Sequence, residues 1–190
     1  MATIREGNKS VLLIVDVQVG VMRETWQASR IVDNINRVVE KARSQGVPVI
    51  WVQHADDELV YDSPAWQLVP ELTPVEGDLR IHKQFNSSFE QTSLEEILAD
   101  LGATHIALAG AASNWCIRAT AHGALDRGFD LTLIKDAHTT ETIEFTDGVI
   151  IEAENIIREL NTAMTWLSYP GRSNNTAAAN EIEFVTPVAG

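Results

Sequence analysis

Apolar residues crowd the stretch SVLLIVDVQ, where Val11 to Val17 form a β-branched and aliphatic run interrupted by Asp16 alone. Such a run predicts a strand buried on both faces, as in a parallel sheet. The pattern then changes period. From Ser29 to Gln45 the apolar positions Ile31, Ile35, Val38, Val39 and Ala42 recur at helical spacing, and Gly46 ends the segment. VPVIWVQ, Val47 to Gln53, predicts a second strand. Residues Ala55 to Asp78 hold Pro64, Pro70 and Pro74 with no sustained period, which predicts a long surface excursion. Leu79 to Lys83 predicts a short third strand. Thr92 and Ser93, each followed three residues later by Glu95 or Glu96, predict a capped helix ending near Gly102.

The second half repeats the alternation. His105 to Ala109 predicts a fourth strand, Trp115 to Arg127 a helix and Phe129 to Ile134 a fifth strand. Val149, Ile150, Ala153, Ile156, Ile157 and Leu160 predict a last long helix. Gly171 to Asn180 is polar and predicts a mobile tail, and EIEFV, Glu181 to Val185, alternates as an edge strand would. Strands alternating with helices imply right-handed βαβ units, hence an α/β fold with a mostly parallel sheet covered on both faces. No repeat or composition break divides the chain, so residues 1–190 read as one domain, with 171–190 as an edge strand or oligomer contact. In such sheets ligands sit beyond the carboxyl ends of the strands, where strand order reverses.

Charge and cysteine usage narrow the class. A formal net charge of −13 argues against a nucleic-acid footprint and against anionic membrane surfaces. The single cysteine forms no internal disulfide, MATIREGNKS carries no apolar signal-peptide core, and no apolar run is long enough to span a bilayer. The expectation is a cytoplasmic protein.

Three residues at predicted strand ends carry candidate chemistry. Asp16 closes the first strand, where a carboxylate is either a turn former or a placed charge. Lys83 closes the third strand, where a lysine is either solvated or a partner for such a charge. Cys116 follows the loop GAASNW in the first turn of a predicted helix, where N–H groups and the helix dipole would lower a thiol pKa. A thiol attacks a carbonyl as its thiolate and needs a base, which Asp16 could be, with an ammonium keeping the carboxylate ionised. The alternative is a packed, inert thiol beside two incidental charges. No histidine is placed to pair with the cysteine: His122 lies further along its helix, and His82 and His105 lie in strands.

With these residues in view the chain resembles the isochorismatase-like family of cysteine hydrolases. The matching stretches are LLIVDVQ around Asp16 and Gln18, IHKQFNSSFEQTSLEEIL with Lys83, Phe89 and Thr92, and GAASNWCIRATAHGALDRGFDLTLIKDAHTT around Cys116. The resemblance runs from about Ser10 to Tyr169. It implies a Rossmann-like three-layer α/β/α fold and an Asp-Lys-Cys triad of Asp16, Lys83 and Cys116. It further implies a non-proline cis peptide at Ala111–Ala112, turning the Ala112 N–H inward beside the Cys116 N–H as an oxyanion hole. In the implied chemistry Lys83 holds Asp16 and helps to place the substrate. A homo-oligomer, dimer or tetramer, is also implied.

Departures from the family pattern refine the expected activity. Nicotinamidase-type members bind a metal through an Asp-x-His element, but here Val52 stands at the Asp position before His54, and no other histidine precedes His82. Asp56 and Asp57 read as a solvated face, so no metal and no cofactor are expected. The cysteine favours C–N hydrolysis of a small amide, ureido or carbamoyl compound through a thioester. The alternatives are an isochorismatase-type vinyl-ether hydrolase and a non-catalytic binding or redox module. Gln18, His54, Phe85 and Trp115 are candidate substrate contacts, with Trp26 and Trp66 as further pocket candidates.

Overall fold

A computed structural model describes Ala2 and residues 4–184. Six parallel strands form the central sheet: β1 (Lys9–Val15), β2 (Val49–His54), β3 (Leu79–Lys83), β4 (Ala103–Ala111), β5 (Asp130–Thr139) and, at the edge, β8 (Asn174–Ala177). Their spatial order is β3-β2-β1-β4-β5-β8. The chain therefore builds outward from β1 to β3, then crosses back to lay β4 on the other flank of β1. The reversal between β1 and β4 opens a crevice at their carboxyl ends, where the two half-sheets wind in opposite directions.

β1 explains the layering. Leu12 and Ile14 point to one face, packing with Ile31, Ile35 and Val38 of α2 (Ala28–Ser44) and with Trp51. Val11, Leu13 and Val15 point to the other, packing with Leu94 and Leu98 of α3 (Leu94–Asp100), with Ala121 and Leu125 of α4 (Arg118–Asp126), and with Leu160 and Met164 of α5 (Ala153–Trp166). A strand between two helical layers must be apolar at every position, which is why β1 reads as a continuous run instead of an alternation. The result is the three-layer, mostly parallel α/β/α arrangement. Among the described residues no helix is long and apolar enough to cross a membrane.

Several local expectations are corrected. The last helix does not include Val149 and Ile150: Ile150–Ile151 (β7) pairs antiparallel with Ile143–Glu144 (β6), and α5 begins at Ala153. Val149 and Ile150 are exposed there, so their hydrophobicity gave a false phase to the helical pattern. The tail from Gly171 to Asn180 supplies the edge strand β8, whose Leu131↔Asn174 to Ile134↔Ala177 register continues the parallel ladder. Glu181 to Phe184 forms no strand, but Ile182 and Phe184 are buried on the α2 side; Val185 lies outside the described residues. The capping box at α3 is absent as well. Ser93 makes no capping bond, and the Thr92 hydroxyl donates to the Ser88 carbonyl at 2.6 Å and accepts the Leu94 N–H at 3.3 Å. Residues 55–78 hold no helix or ladder strand, in line with a long excursion; a short helix, α1 (Val19–Met22), precedes α2.

Candidate active site

Asp16 is the first residue past β1. Its backbone takes a left-handed turn with φ 53°, and its N–H donates to the Val52 carbonyl at 2.9 Å. Aspartate is among the few side chains that tolerate this conformation, at a cost of order 1 kcal/mol. The carboxylate is buried, as its place at the end of a doubly covered strand requires, so it needs a partner. Lys83, the last residue of β3, provides one at 2.7 Å between Nζ and Oδ2. β3 lies two strands from β1, about 10 Å away. The four-carbon stem of lysine bridges that gap across the end of β2.

Cys116 reaches the same point from β4. Gly110 pairs with Val15 at φ +126°, and a Cβ there would lie 2.0 Å from the Val15 carbonyl oxygen. Only glycine lets β4 come this close to β1. The Ala111–Ala112 peptide is cis, and the chain then enters a π turn, Ser113–Ile117, in which the Ile117 N–H donates to the Ala112 carbonyl at 3.1 Å. The expected helix start at Trp115 is thus a wider turn, and regular α-helix begins at Arg118. This turn carries Cys116 Sγ to 3.2 Å from Lys83 Nζ.

The turn is clamped by residues that the sequence reading left unassigned. The Ser113 hydroxyl lies 2.8 Å from His138 Nδ1, and His138 Nε2 lies 3.0 Å from Asn161 Oδ1. Asn161 is oriented by its own Nδ2–H to the Lys135 carbonyl at 3.0 Å, so His138 carries its proton on Nε2 and accepts from Ser113. Thr140 Oγ1 donates to Asn114 Oδ1 at 2.6 Å. The available signal was the segment DAHTT: β5 continues past Ile134 to Thr139, and buried polar residues at the end of an apolar strand need a purpose.

Electrostatics overturn the expected acidic thiol. Burial pushes the Cys116 thiol up to about 12, and the Asp16 carboxylate adds to that push, while Lys83 opposes it. Burial likewise raises the Asp16 carboxyl, against the pull of Lys83 and Cys116. Losing the thiol proton to solvent with Asp16 ionised would leave a net negative charge in a buried site. Moving it to Asp16 keeps the site neutral, with one ammonium and one anion in either arrangement. Asp16 Oδ1 is buried and accepts no hydrogen bond of ordinary geometry among the described residues, which leaves a lone pair free for that proton.

The other candidates divide. Gln18 is fully buried and spent on the protein: Nε2 donates to the His54 and Trp66 carbonyls at 3.0 and 2.8 Å, and Oε1 accepts the His54 N–H at 2.8 Å. It braces the excursion and has no N–H left for a substrate. Lys83 Nζ also lies 3.3 Å from His54 Nδ1, in addition to its contacts with Asp16 and Cys116. Phe85 is exposed and lines a cavity of about 310 Å³ with Tyr61, His82 and Lys83. Trp115 is 57% exposed beside the thiol in sequence. Trp66 is buried in a ring cluster with Tyr61 and His82, and the Trp26 N–H donates to the Thr140 carbonyl. Asp57 is exposed, whereas Asp56 bonds His54 Nε2 at 2.9 Å. Among the described residues no group of three or more His, Cys, Asp or Glu could hold a metal ion.

Known proteins resemble this chain in sequence and in fold. A streptothricin hydrolase from Streptomyces noursei is 32% identical over 145 residues, 73% of this chain; the chain spans only 57% of that relative. The crystal structure of an isochorismatase from Pseudomonas putida KT2440 superposes with a TM-score of 0.78 at 29% identity, covering 90% of this chain and 89% of that one. The N-carbamoylsarcosine amidase from Thermoplasma acidophilum shares the fold, with a TM-score of 0.71 at 22% identity over 92% of this chain and 99% of its own. The isochorismatase domain profile matches residues 10–164, a span that runs from Ser10 in β1 through most of α5 and takes in all three converging side chains. This chain therefore belongs to the isochorismatase family of hydrolases.

Proposed function

We infer that the chain is a metal-independent cysteine hydrolase that cleaves the C–N bond of a small amide, ureido or carbamoyl compound. The observation that carries this reading is the meeting of one ammonium with both a carboxylate and a thiol: Lys83 Nζ lies 2.7 Å from Asp16 Oδ2 and 3.2 Å from Cys116 Sγ. An amide carbon is a poor electrophile, and a thiolate next to a fixed cation is a nucleophile suited to it. Two similar proteins support the reading by name, a streptothricin hydrolase for hydrolysis and an N-carbamoylsarcosine amidase for the amide bond.

In this mechanism Asp16 takes the Cys116 proton and the thiolate adds to the substrate carbonyl carbon. The Ala112 and Cys116 N–H groups receive the oxyanion, each donor contributing on the order of 3 kcal/mol in comparable sites. The tetrahedral adduct collapses, the C–N bond breaks, and Asp16 returns its proton to the leaving nitrogen. Water then loses a proton to Asp16, adds to the thioester, and the carboxylic or carbamic acid departs as the thiol is restored. Lys83 keeps its proton throughout and offsets whichever neighbour is negative. His54, the one histidine of the metal-binding pattern that is present, is committed to Lys83 and Asp56, which supports chemistry without a metal.

Ammonia or amine release across small amides, ureido acids and carbamates tests the reading. Wild-type protein should turn over at least one, with a mass shift on Cys116 equal to the acyl half. Cys116→Ala and Asp16→Asn should be inactive while folded. Amide turnover by Cys116→Ala at the wild-type rate would remove the thioester from the mechanism.

A further inference from the structure

His54 ends β2, and the proposed hydrolysis uses none of its atoms. Its ring nevertheless lies between two groups with one-sided bonding capacity. Nδ1 is 3.3 Å from Lys83 Nζ, and Nε2 is 2.9 Å from Asp56 Oδ2. An ammonium only donates and a carboxylate only accepts. Both contacts therefore require the same tautomer, with Nδ1 bare toward Lys83 and Nε2–H directed at Asp56. Asp56 is fixed in turn, because its Oδ1 accepts the backbone N–H groups of Leu59 at 2.6 Å and Glu58 at 2.9 Å. The Leu59 bond, aided by His54 and Glu58, holds the Asp56 carboxyl below its ordinary range, so it stays an ionised acceptor.

The count at Lys83 gives this arrangement its meaning. The ammonium has three N–H groups and three acceptors: Asp16 Oδ2 at 2.7 Å, Cys116 Sγ at 3.2 Å and His54 Nδ1 at 3.3 Å. His54 fills the third place without adding charge. A second carboxylate there would draw the cation away from the thiol, and an apolar side chain would leave a buried N–H unpaired and the ammonium free to rotate.

We propose that His54 and Asp56 form a positioning arm for Lys83, in which Asp56 selects the His54 tautomer and His54 Nδ1 aims the two remaining N–H groups at Asp16 and Cys116. The arm rests on the reading of Lys83 and Cys116 as acting together, but its effect is measurable on the thiol without any turnover. Cys116 is the only cysteine in the chain, so alkylation by iodoacetamide reports on one sulfur.

The rate of that alkylation is followed across the neutral-to-alkaline range in folded wild-type, His54→Leu, His54→Asn and Asp56→Asn proteins. Loss of one charge-assisted bond to Lys83 should slow alkylation of His54→Leu roughly tenfold at each pH in that range. Asp56→Asn keeps an oxygen for the Glu58 and Leu59 N–H groups but presents an amide N–H to Nε2, so it should slow the reaction in the same direction. His54→Asn, whose amide oxygen takes the place of Nδ1, should recover the rate to within about threefold. Wild-type alkylation in a folded His54→Leu protein overturns the arm, and so does failure of the asparagine to rescue, which would mark His54 as a packing residue. A wild-type profile in Asp56→Asn overturns the tautomer selection. Should His54→Leu not fold, the half-exposed Asp56 position and His54→Asn still decide the matter. If the wild-type protein turns over no amide yet the variants follow this order, the hydrolase reading fails and the arm stands.

Discussion

Acidification should loosen this protein through His138. His138 is fully buried between Ser113 and Asn161, and burial pulls its pKa from 6.5 down to about 4, with Asn161 and Asp136 opposing. The folded pKa lies below the unfolded one. Under about pH 6.5 the unfolded chain therefore gains a proton that the folded chain refuses until about pH 4, and stability falls as pH falls through that window. At about 1.4 kcal/mol per pH unit the whole gap is worth about 3 kcal/mol, of which roughly 2.5 kcal/mol is lost by about pH 4.5. In a chain of this length that is a drop in melting temperature of roughly 5–10 °C. Urea unfolding of wild-type protein and a His138→Gln variant, at steps from about pH 7 to about pH 4.5, isolates the effect because all other groups titrate in both. The variant should be less stable at neutral pH, having lost a fitted hydrogen-bond pair, and the difference between the two should shrink by about 2.5 kcal/mol on acidification. A difference that stays flat across the window would refute the reasoning. His105, whose pKa is also lowered by burial, adds to the wild-type slope in the same direction and cancels in the comparison.

Three further outcomes follow from particular contacts. Gly110→Ala places a Cβ about 2.0 Å from the Val15 carbonyl at a backbone angle that alanine resists; it should cost more than about 2 kcal/mol and abolish activity, read by urea midpoint and turnover. Lys83→Met strands the Asp16 carboxylate in the interior and should cost roughly 3–5 kcal/mol at neutral pH. That loss should lessen as pH falls, because Asp16, already raised by burial and now without Lys83 to hold it down, can take up a proton; a loss independent of pH would count against the pairing. Asp78 accepts from Trp51 Nε1 at 2.9 Å, Arg43 Nη2 at 2.5 Å and the Val75 N–H at 3.0 Å. Those bonds hold its carboxyl below the ordinary range despite the opposing effect of burial. Asp78→Ala should destabilise by roughly 2–4 kcal/mol in denaturant titrations, since it leaves the buried Trp51 N–H unpaired.

The strand-and-helix alternation, the buried character of β1 and the sites at strand ends were all legible in the chain, because periodicity and apolar runs are local properties that burial on one or two faces imposes directly. Asp16 and Lys83 could be singled out because each closes an apolar strand, and Cys116 because it follows a small-residue loop at a predicted helix start. Elements with weak local signals were misread. Asn174–Ala177 joins the sheet through backbone bonds that any polar segment can make, and Val149 and Ile150 have a hairpin's exposure with a helix's hydrophobicity. Only the tertiary structure decided how the three side chains meet, since strand order sets β3 two places from β1 and makes a lysine's reach necessary. It also decided where the protons rest. A helix start predicted an acidic thiol, but desolvation among a carboxylate, an ammonium and an apolar wall depends on neighbours distant in sequence, and it reversed the sign.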